Sequence, residues 1–250
     1  MARPKYHKEA IYDPKTAHPD EAHSVLMRLI PRGSRVLEKG CASGYLSGYM
    51  ESALDCRVTG LEADPAATAI AATRCTEVHT VDLDHPDALA PARASAPYDV
   101  LLAAAVLEHL KHPERLLEEA RELLRPGGRV IVSLPNIAHW QFRLKLLRGR
   151  FDYEDYGVMD RTHLRLYTAQ TGRALLEAQG YPVEEFHIAG SGVQNLVAPQ
   201  GIARDVSASQ HRQRPPARAP ANVVRHLVQR GLRGLALPGD GVRALRLLVT

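Results

Sequence analysis

Val36-Leu37-Glu38-Lys39-Gly40-Cys41-Ala42-Ser43-Gly44-Tyr45 decides the reading of this chain. An apolar entry ends in an acid, a run of small residues follows, and Tyr45-Leu46-Ser47-Gly48-Tyr49-Met50 opens a predicted helix. A strand, a tight turn and a helix N-terminus let backbone N–H groups approach a ligand without side-chain obstruction. The small residues Gly40, Ala42 and Gly44 recur at every second position. A dinucleotide fingerprint reads G-x-G-x-x-G, with a third glycine for helix packing around a pyrophosphate. This loop reads E-x-G-x-A-x-G instead, which argues against a nicotinamide-dependent oxidoreductase. Alanine is tolerable at position 42 if that residue keeps φ negative.

Outward from the loop, Arg57-Val58-Thr59-Gly60-Leu61-Glu62 reads as a second strand ending in an acid. A carboxylate at that tip of an open α/β sheet can accept both ribose hydroxyls of a nucleoside. The alternative is a solvated strand-end acid. Asp64 is placed to cap the next helix, with Pro65 at its first position. Glu77–Asp82 reads as a third strand and Tyr98–Ala104 as a fourth, running into the short helical segment Val106-Leu107-Glu108-His109-Leu110. After His112-Pro113 an amphipathic helix extends to Leu124. Arg125-Pro126-Gly127-Gly128 is a turn, and Arg129–Leu134 a fifth strand.

This ordered set resembles the motifs of class I S-adenosylmethionine-dependent methyltransferases over about residues 20–190. The resemblance implies an α/β, Rossmann-like, seven-stranded doubly wound sheet of order 3-2-1-4-5-7-6 with an antiparallel last strand. Pro182–Ile188 would be strand six and residues 243–250 strand seven. It also implies S-adenosyl-L-methionine as cofactor, held by Glu38, Gly40, Cys41, Ala42, Gly44, Glu62, Ala63, Asp82, Leu83 and Ala104. Asp82 stands where such enzymes contact the adenine amino group. Ala104-Ala105 replaces a frequently polar pair, which shifts the catalytic burden to later loops. Tyr6, Tyr12 and His23 are candidates to close over the cofactor from the N-terminal side, as in similar enzymes.

At 250 residues, 45% hydrophobic and 24% charged, the composition is that of an ordinary globular protein with one sizeable core. We expect a helical lead-in over 1–34, a core over 35–190, a Pro/Arg-rich insertion over 191–221, and a helix with the last strand over 222–250. Three cysteines without metal-ligand spacing indicate neither a disulfide framework nor a zinc site, and no metal is expected. No apolar segment has membrane-spanning length, so a cytoplasmic setting is the expectation. The net charge of +4 is local: residues 201–250 hold nine arginines against two aspartates, leaving the remainder net negative. No nucleic acid partner is expected from such a distribution. A homodimer is compatible with everything above.

The acceptor must be read from residues 135–168. A helix capped by Asn136 and ending at Gly149 carries the only tryptophan, Trp140. Aromatics beside a cofactor site are candidate pocket walls, or else pack a lid helix onto the sheet. The string LPNIAHWQFRLKLLRGRFDY followed by DRTHLRLYT resembles a subgroup found in bacterial surface-glycan and secondary-metabolite contexts. That implies a hydroxyl or carboxyl acceptor on a small polar metabolite or a glycan-linked molecule. Trp140, Arg143, Tyr153, Asp160 and Arg161 are the candidate substrate contacts. Histidine titrates in the range needed to take a hydroxyl proton. His163 ranks first, then His139; His109 is also a candidate, though a structural role is favoured for it over a catalytic one. A competing reading is a methyltransferase-like accessory subunit that keeps the cofactor and regulates a partner enzyme.

Overall fold

A computed structural model of the chain describes residues 10–189 and the backbone of 245–249. Five apolar segments form parallel strands: β1 (Arg35–Lys39), β2 (Arg57–Glu62), β3 (Glu77–Thr80), β4 (Tyr98–Ala104) and β5 (Leu124–Leu134). β6 (Val183–Ile188) and β7 (Leu245–Val249) extend the sheet to the order β3-β2-β1-β4-β5-β7-β6. The central strands read as near-continuous apolar runs because both faces of the sheet are covered.

Two cores follow from the alternation of side chains along each strand. Val36, Val58, Val100, Leu102 and Ile131 face Leu26 and Leu29 of α1 (Ala22–Leu29) and Leu46 and Met50 of α2 (Tyr45–Leu54). Leu37, Leu61, Leu101, Ala103, Val130 and Val132 face the other way. They pack with Leu116 and Leu117 of α4 (Pro113–Ala120) and Leu176 of α6 (Ala169–Ala178). α3 (Pro65–Ala71) sits beside β2 and β3, started as expected by Asp64, whose side chain accepts from Ala66 N at 2.8 Å. Register sets Lys39 opposite Leu61 on one side and Ala103 on the other. The carboxyl ends of β1, β2 and β4 therefore lie side by side, where open α/β sheets bind ligands.

Several expectations are corrected. β7 runs parallel to both β5 and β6, not antiparallel. A short hairpin would force reversal, whereas the long stretch of chain between β6 and β7 is ample for a parallel return. The helix after β5 does not begin at Asn136: α5 is Trp140–Leu147, and His139 is its cap, accepting from Gln141 N at 3.4 Å. Asn136 instead accepts from Ala138 N at 3.0 Å and bridges to Tyr167. α4 ends at Ala120 and tightens into a 3₁₀ turn over Arg121–Leu123. β5 starts early, at Leu124, with a register irregularity where the turn was expected. Tyr6, the Pro/Arg-rich segment and the helix expected after Asn222 lie outside the described residues.

Candidate active site

A cavity of about 900 Å³ opens at the carboxyl ends of β1, β2 and β4. Glu38, Gly40, Cys41, Ala42, Glu62, Ala63, Asp82, Leu83 and Ala104 line it. Gly44 does not. Its φ of +72° and the closeness of Ala71 and Arg74 to a Cβ there make it a packing position between loop and α3. At Gly40 a Cβ would stand 2.7 Å from Val106 Cγ2, so glycine keeps the cavity floor open. Ala42 has φ +48°, contrary to the condition under which alanine was thought tolerable there.

The amides of Gly40, Cys41, Ala42 and Gly44 are turned onto the protein itself. Gly40 N and Cys41 N both donate to Leu61 O, at 2.8 and 3.1 Å, and Gly44 N donates to Cys41 O. Ala42 N donates to Glu62 Oε2 at 2.9 Å. The strained φ of Ala42 is thus held by the carboxylate that the second strand supplies. Glu62 Oε1 accepts from Asp64 N at 2.9 Å. A carboxylate has about four lone-pair sites, so two remain for a diol. The loop contributes shape, and Glu62 contributes both its scaffold and its acceptor capacity.

Glu38 is fully buried and accepts a hydrogen bond from Ser47 Oγ on α2. Burial pushes its carboxyl up to about 8, with the Ser47 hydroxyl opposing. Asp82 is exposed and its Oδ1 accepts from Asp84 N at 2.9 Å. On the opposite strand face Lys39 is fully buried, its Nζ has no hydrogen-bond partner among the described residues, and burial lowers it to about 8. Ala105 has φ +55° and donates its N–H to Ser133 Oγ at 3.0 Å, so the alanine pair presents methyl groups to the cavity.

The remaining wall comes from two distant segments. Glu108, His109 and Leu110 form one, and Tyr156, Gly157, Val158, Asp160 and His163 the other. Leu164 N and Arg165 N both donate to Glu108 O, at 2.8 and 3.1 Å. Arg165 clamps the same junction through Glu114 at 2.9 Å and the carbonyl of Lys111. Asp160 is buried and organises its own turn, accepting from Thr162 N at 2.9 Å and Thr162 Oγ1 at 2.7 Å. His109 and His163 meet edge to face with ring centroids 4.7 Å apart.

Of the three candidate histidines, His163 and His109 line the cavity and His139 does not. His139 caps α5, with a buried Nε2 lacking a partner and a pKa lowered by burial. Of the candidate substrate contacts, only Asp160 reaches the cavity. Trp140 and Arg143 sit on α5, which has no buried residue. Tyr153 is exposed against Phe151, and Arg161 pairs with Asp155 at 2.8 Å. On the N-terminal side, His23 lines the cavity against Tyr45, whereas Tyr12 is buried beneath Tyr45 and Tyr49. Glu108 was missed: its carboxylate is buried, both oxygens lack a hydrogen-bond partner among the described residues, and burial pushes it up to about 8. The available signal was an acid placed among Val106, Leu107 and Leu110.

Residues 16–185 match the family described as a methyltransferase domain. The chain belongs to the class I S-adenosylmethionine-dependent methyltransferase family. It is 32% identical, over 71% of its length and 65% of the relative's, to a protein of Mycolicibacterium smegmatis named as an S-adenosylmethionine-dependent methyltransferase. It is 31% identical to the ubiquinone biosynthesis O-methyltransferase of Aromatoleum aromaticum, over 59% of this chain and 67% of that one. With other relatives of that name the match spans 42% to 45% of their length. Among solved structures, a SAM-dependent methyltransferase of Thermotoga maritima matches 63% of this chain and 68% of its own, at TM-score 0.47 and 19% identity. The cavity fits the family's cofactor on its own geometry. Its volume suits a nucleoside ligand, its floor is kept open by Gly40, and it offers one buried acid and one pre-oriented acid. No helix among the described residues is long and apolar enough to cross a membrane.

Proposed function

We propose that this protein transfers a methyl group from S-adenosyl-L-methionine to an oxygen of a small polar or glycan-linked acceptor. The observation that carries the proposal is the continuity of one cavity from Glu38 and Glu62 to His109 and His163. An accessory subunit has no need of an open acceptor wall lined by two histidines, so the same cavity weighs against that reading. The O-methyltransferase name of the Aromatoleum aromaticum relative supports an oxygen nucleophile.

When bound, the cofactor supplies an electrophilic methyl on a sulfonium; the chain must hold it and align the nucleophile behind it. Glu62 presents its remaining lone pairs to the ribose diol while its other two are pinned by Ala42 N and Asp64 N. Glu38, whose carboxyl is pushed up to about 8 by burial, would be favoured in its ionised form by a cationic amino group held beside it. Asp82 and Leu83 border the adenine side, and Ala104 and Ala105 keep the transfer region apolar and narrow. His163 and His109 contact the acceptor oxygen. Each is oriented through Nδ1, His163 against Val158 O at 3.0 Å and His109 against Thr162 O at 3.2 Å. With Nδ1 donating, the lone pair of each ring is on Nε2.

The test is a methyl-transfer screen with labelled cofactor against fractionated host metabolites. Label appearing as an ether or ester in a small polar fraction is the expected result. Label on nitrogen or carbon alone would overturn the oxygen assignment, and no transfer to any fraction despite cofactor binding would restore the accessory reading.

A further inference from the structure

Glu108, His109 and His163 converge on the cavity wall, each offering one ligand-type atom, and these three atoms lie within 4.8 Å of one another. Two imidazoles and a carboxylate at that spacing form a set that chelates divalent transition cations. Three independent features favour a cation over a chance cluster. Both rings are oriented by Nδ1 against main-chain carbonyls, which is the outer-shell arrangement that fixes metal-binding histidines with Nε2 as the ligating atom. Glu108 lies at the cavity wall with both carboxylate oxygens buried and without a hydrogen-bond partner among the described residues, an arrangement that costs free energy unless a ligand relieves it. The two segments are locked together through Glu108 itself, whose carbonyl accepts from Leu164 N and Arg165 N next to His163. That lock holds the three ligands in place before any ion arrives.

We propose that Glu108, His109 and His163 bind one divalent transition cation at the acceptor end of the cavity. Two nitrogen donors out of three select zinc or a similar borderline ion over magnesium, which prefers an all-oxygen shell. Three protein ligands leave coordination positions open toward the cavity, as in catalytic rather than structural sites. An oxygen of the acceptor is the natural occupant, and the contact of the two histidines with it then runs through the ion, whose Lewis acidity favours an oxygen nucleophile. The sequence had shown no metal site because cysteine spacing was its only metal signal. Here the ligands come from two loops joined only by folding.

The inference deepens the functional reading, but its test needs neither cofactor nor acceptor, so the two fail separately. Chelator-stripped protein is titrated calorimetrically with zinc, manganese and magnesium chlorides, in wild type, Glu108→Gln, His163→Ala and the surface control His85→Ala. One zinc equivalent is expected in wild type. Zinc should bind at least about 10-fold more weakly in Glu108→Gln and in His163→Ala, and equally in His85→Ala. Magnesium should bind at least about 10-fold more weakly than zinc to wild type. Circular dichroism checks each variant's fold; His163→Ala, in a loop, decides the matter should Glu108→Gln unfold. Absent zinc binding, unchanged affinity in the folded variants, or magnesium binding as tight as zinc would each overturn the proposal.

Discussion

The two halves of the cavity are built by different means. The half proposed for the cofactor stands on the ends of adjacent parallel strands, where register brings Glu38, Glu62 and Ala104 together. The half proposed for the acceptor is assembled by main-chain hydrogen bonds between Glu108 and the segment carrying His163, far apart in the chain. The first is fixed by the sheet and tolerates variation elsewhere. The second can be rebuilt by changing loops without disturbing the sheet, which is how one fold serves many acceptors.

The largest effect that separates the halves is expected at His163. His163→Ala should lower turnover by about 100-fold or more, with cofactor affinity nearly unchanged. Steady-state kinetics with the acceptor from the labelled screen, beside calorimetry with S-adenosylhomocysteine, measures both. Full activity would remove His163 from the acceptor half.

Glu62→Ala should act in the opposite sense, weakening the cofactor by about 1–3 kcal/mol and sparing turnover at saturating cofactor. Part of that loss comes through Ala42, whose strained backbone loses its carboxylate partner. Unchanged affinity would mean that another group holds the ribose.

Lys39 lies just behind the cofactor half and tests whether its burial is structural. Its folded pKa, about 8, lies below its ordinary value of 10.5, so between these the unfolded chain binds more protons. Wild-type stability from this group is therefore full above about 10.5 and is lost as pH falls to about 8. Glu38 acts oppositely, its contribution being lost as pH rises from 4.5 to about 8. Lys39→Met should stabilise the protein by about 1–3 kcal/mol at neutral pH and remove the upward slope between pH 8 and 10. Chemical denaturation across that range reads both; a destabilised variant would mean the amine has a partner in solution. The smallest effect is expected at Arg143, on the exposed α5: Arg143→Ala should change kcat/KM by less than about twofold. A larger loss would bring α5 back into the acceptor half.

This division also explains what could be read from the chain. That Glu38, Gly40, Glu62 and Asp82 meet at one cavity is legible because each follows an apolar run, and strand ends in a parallel sheet share one edge. Loop hydrogen bonding was not legible: the amides of Gly40, Cys41 and Ala42 are turned onto Leu61 and Glu62 rather than outward. Concentrated aromatics misled, because Trp140 and Tyr153 lie outside the cavity and only tertiary placement tells a wall from a surface. Glu108 carried only a weak signal, an acid among Val106, Leu107 and Leu110, because the burial of its carboxylate is set by the fold rather than by that short segment. The direction of β7 was likewise beyond reach, because no residue in a strand records which way its neighbours run.

The central claim is that the cavity at the ends of β1, β2 and β4 binds the cofactor, and Gly40 tests it most directly. S-adenosylhomocysteine titrated calorimetrically into wild type should give saturable one-to-one binding. In a folded Gly40→Arg variant, where Val106 blocks even the first carbon of a side chain at this φ, the heat should vanish. No heat with wild type, or equal affinity in the variant, would contradict the account.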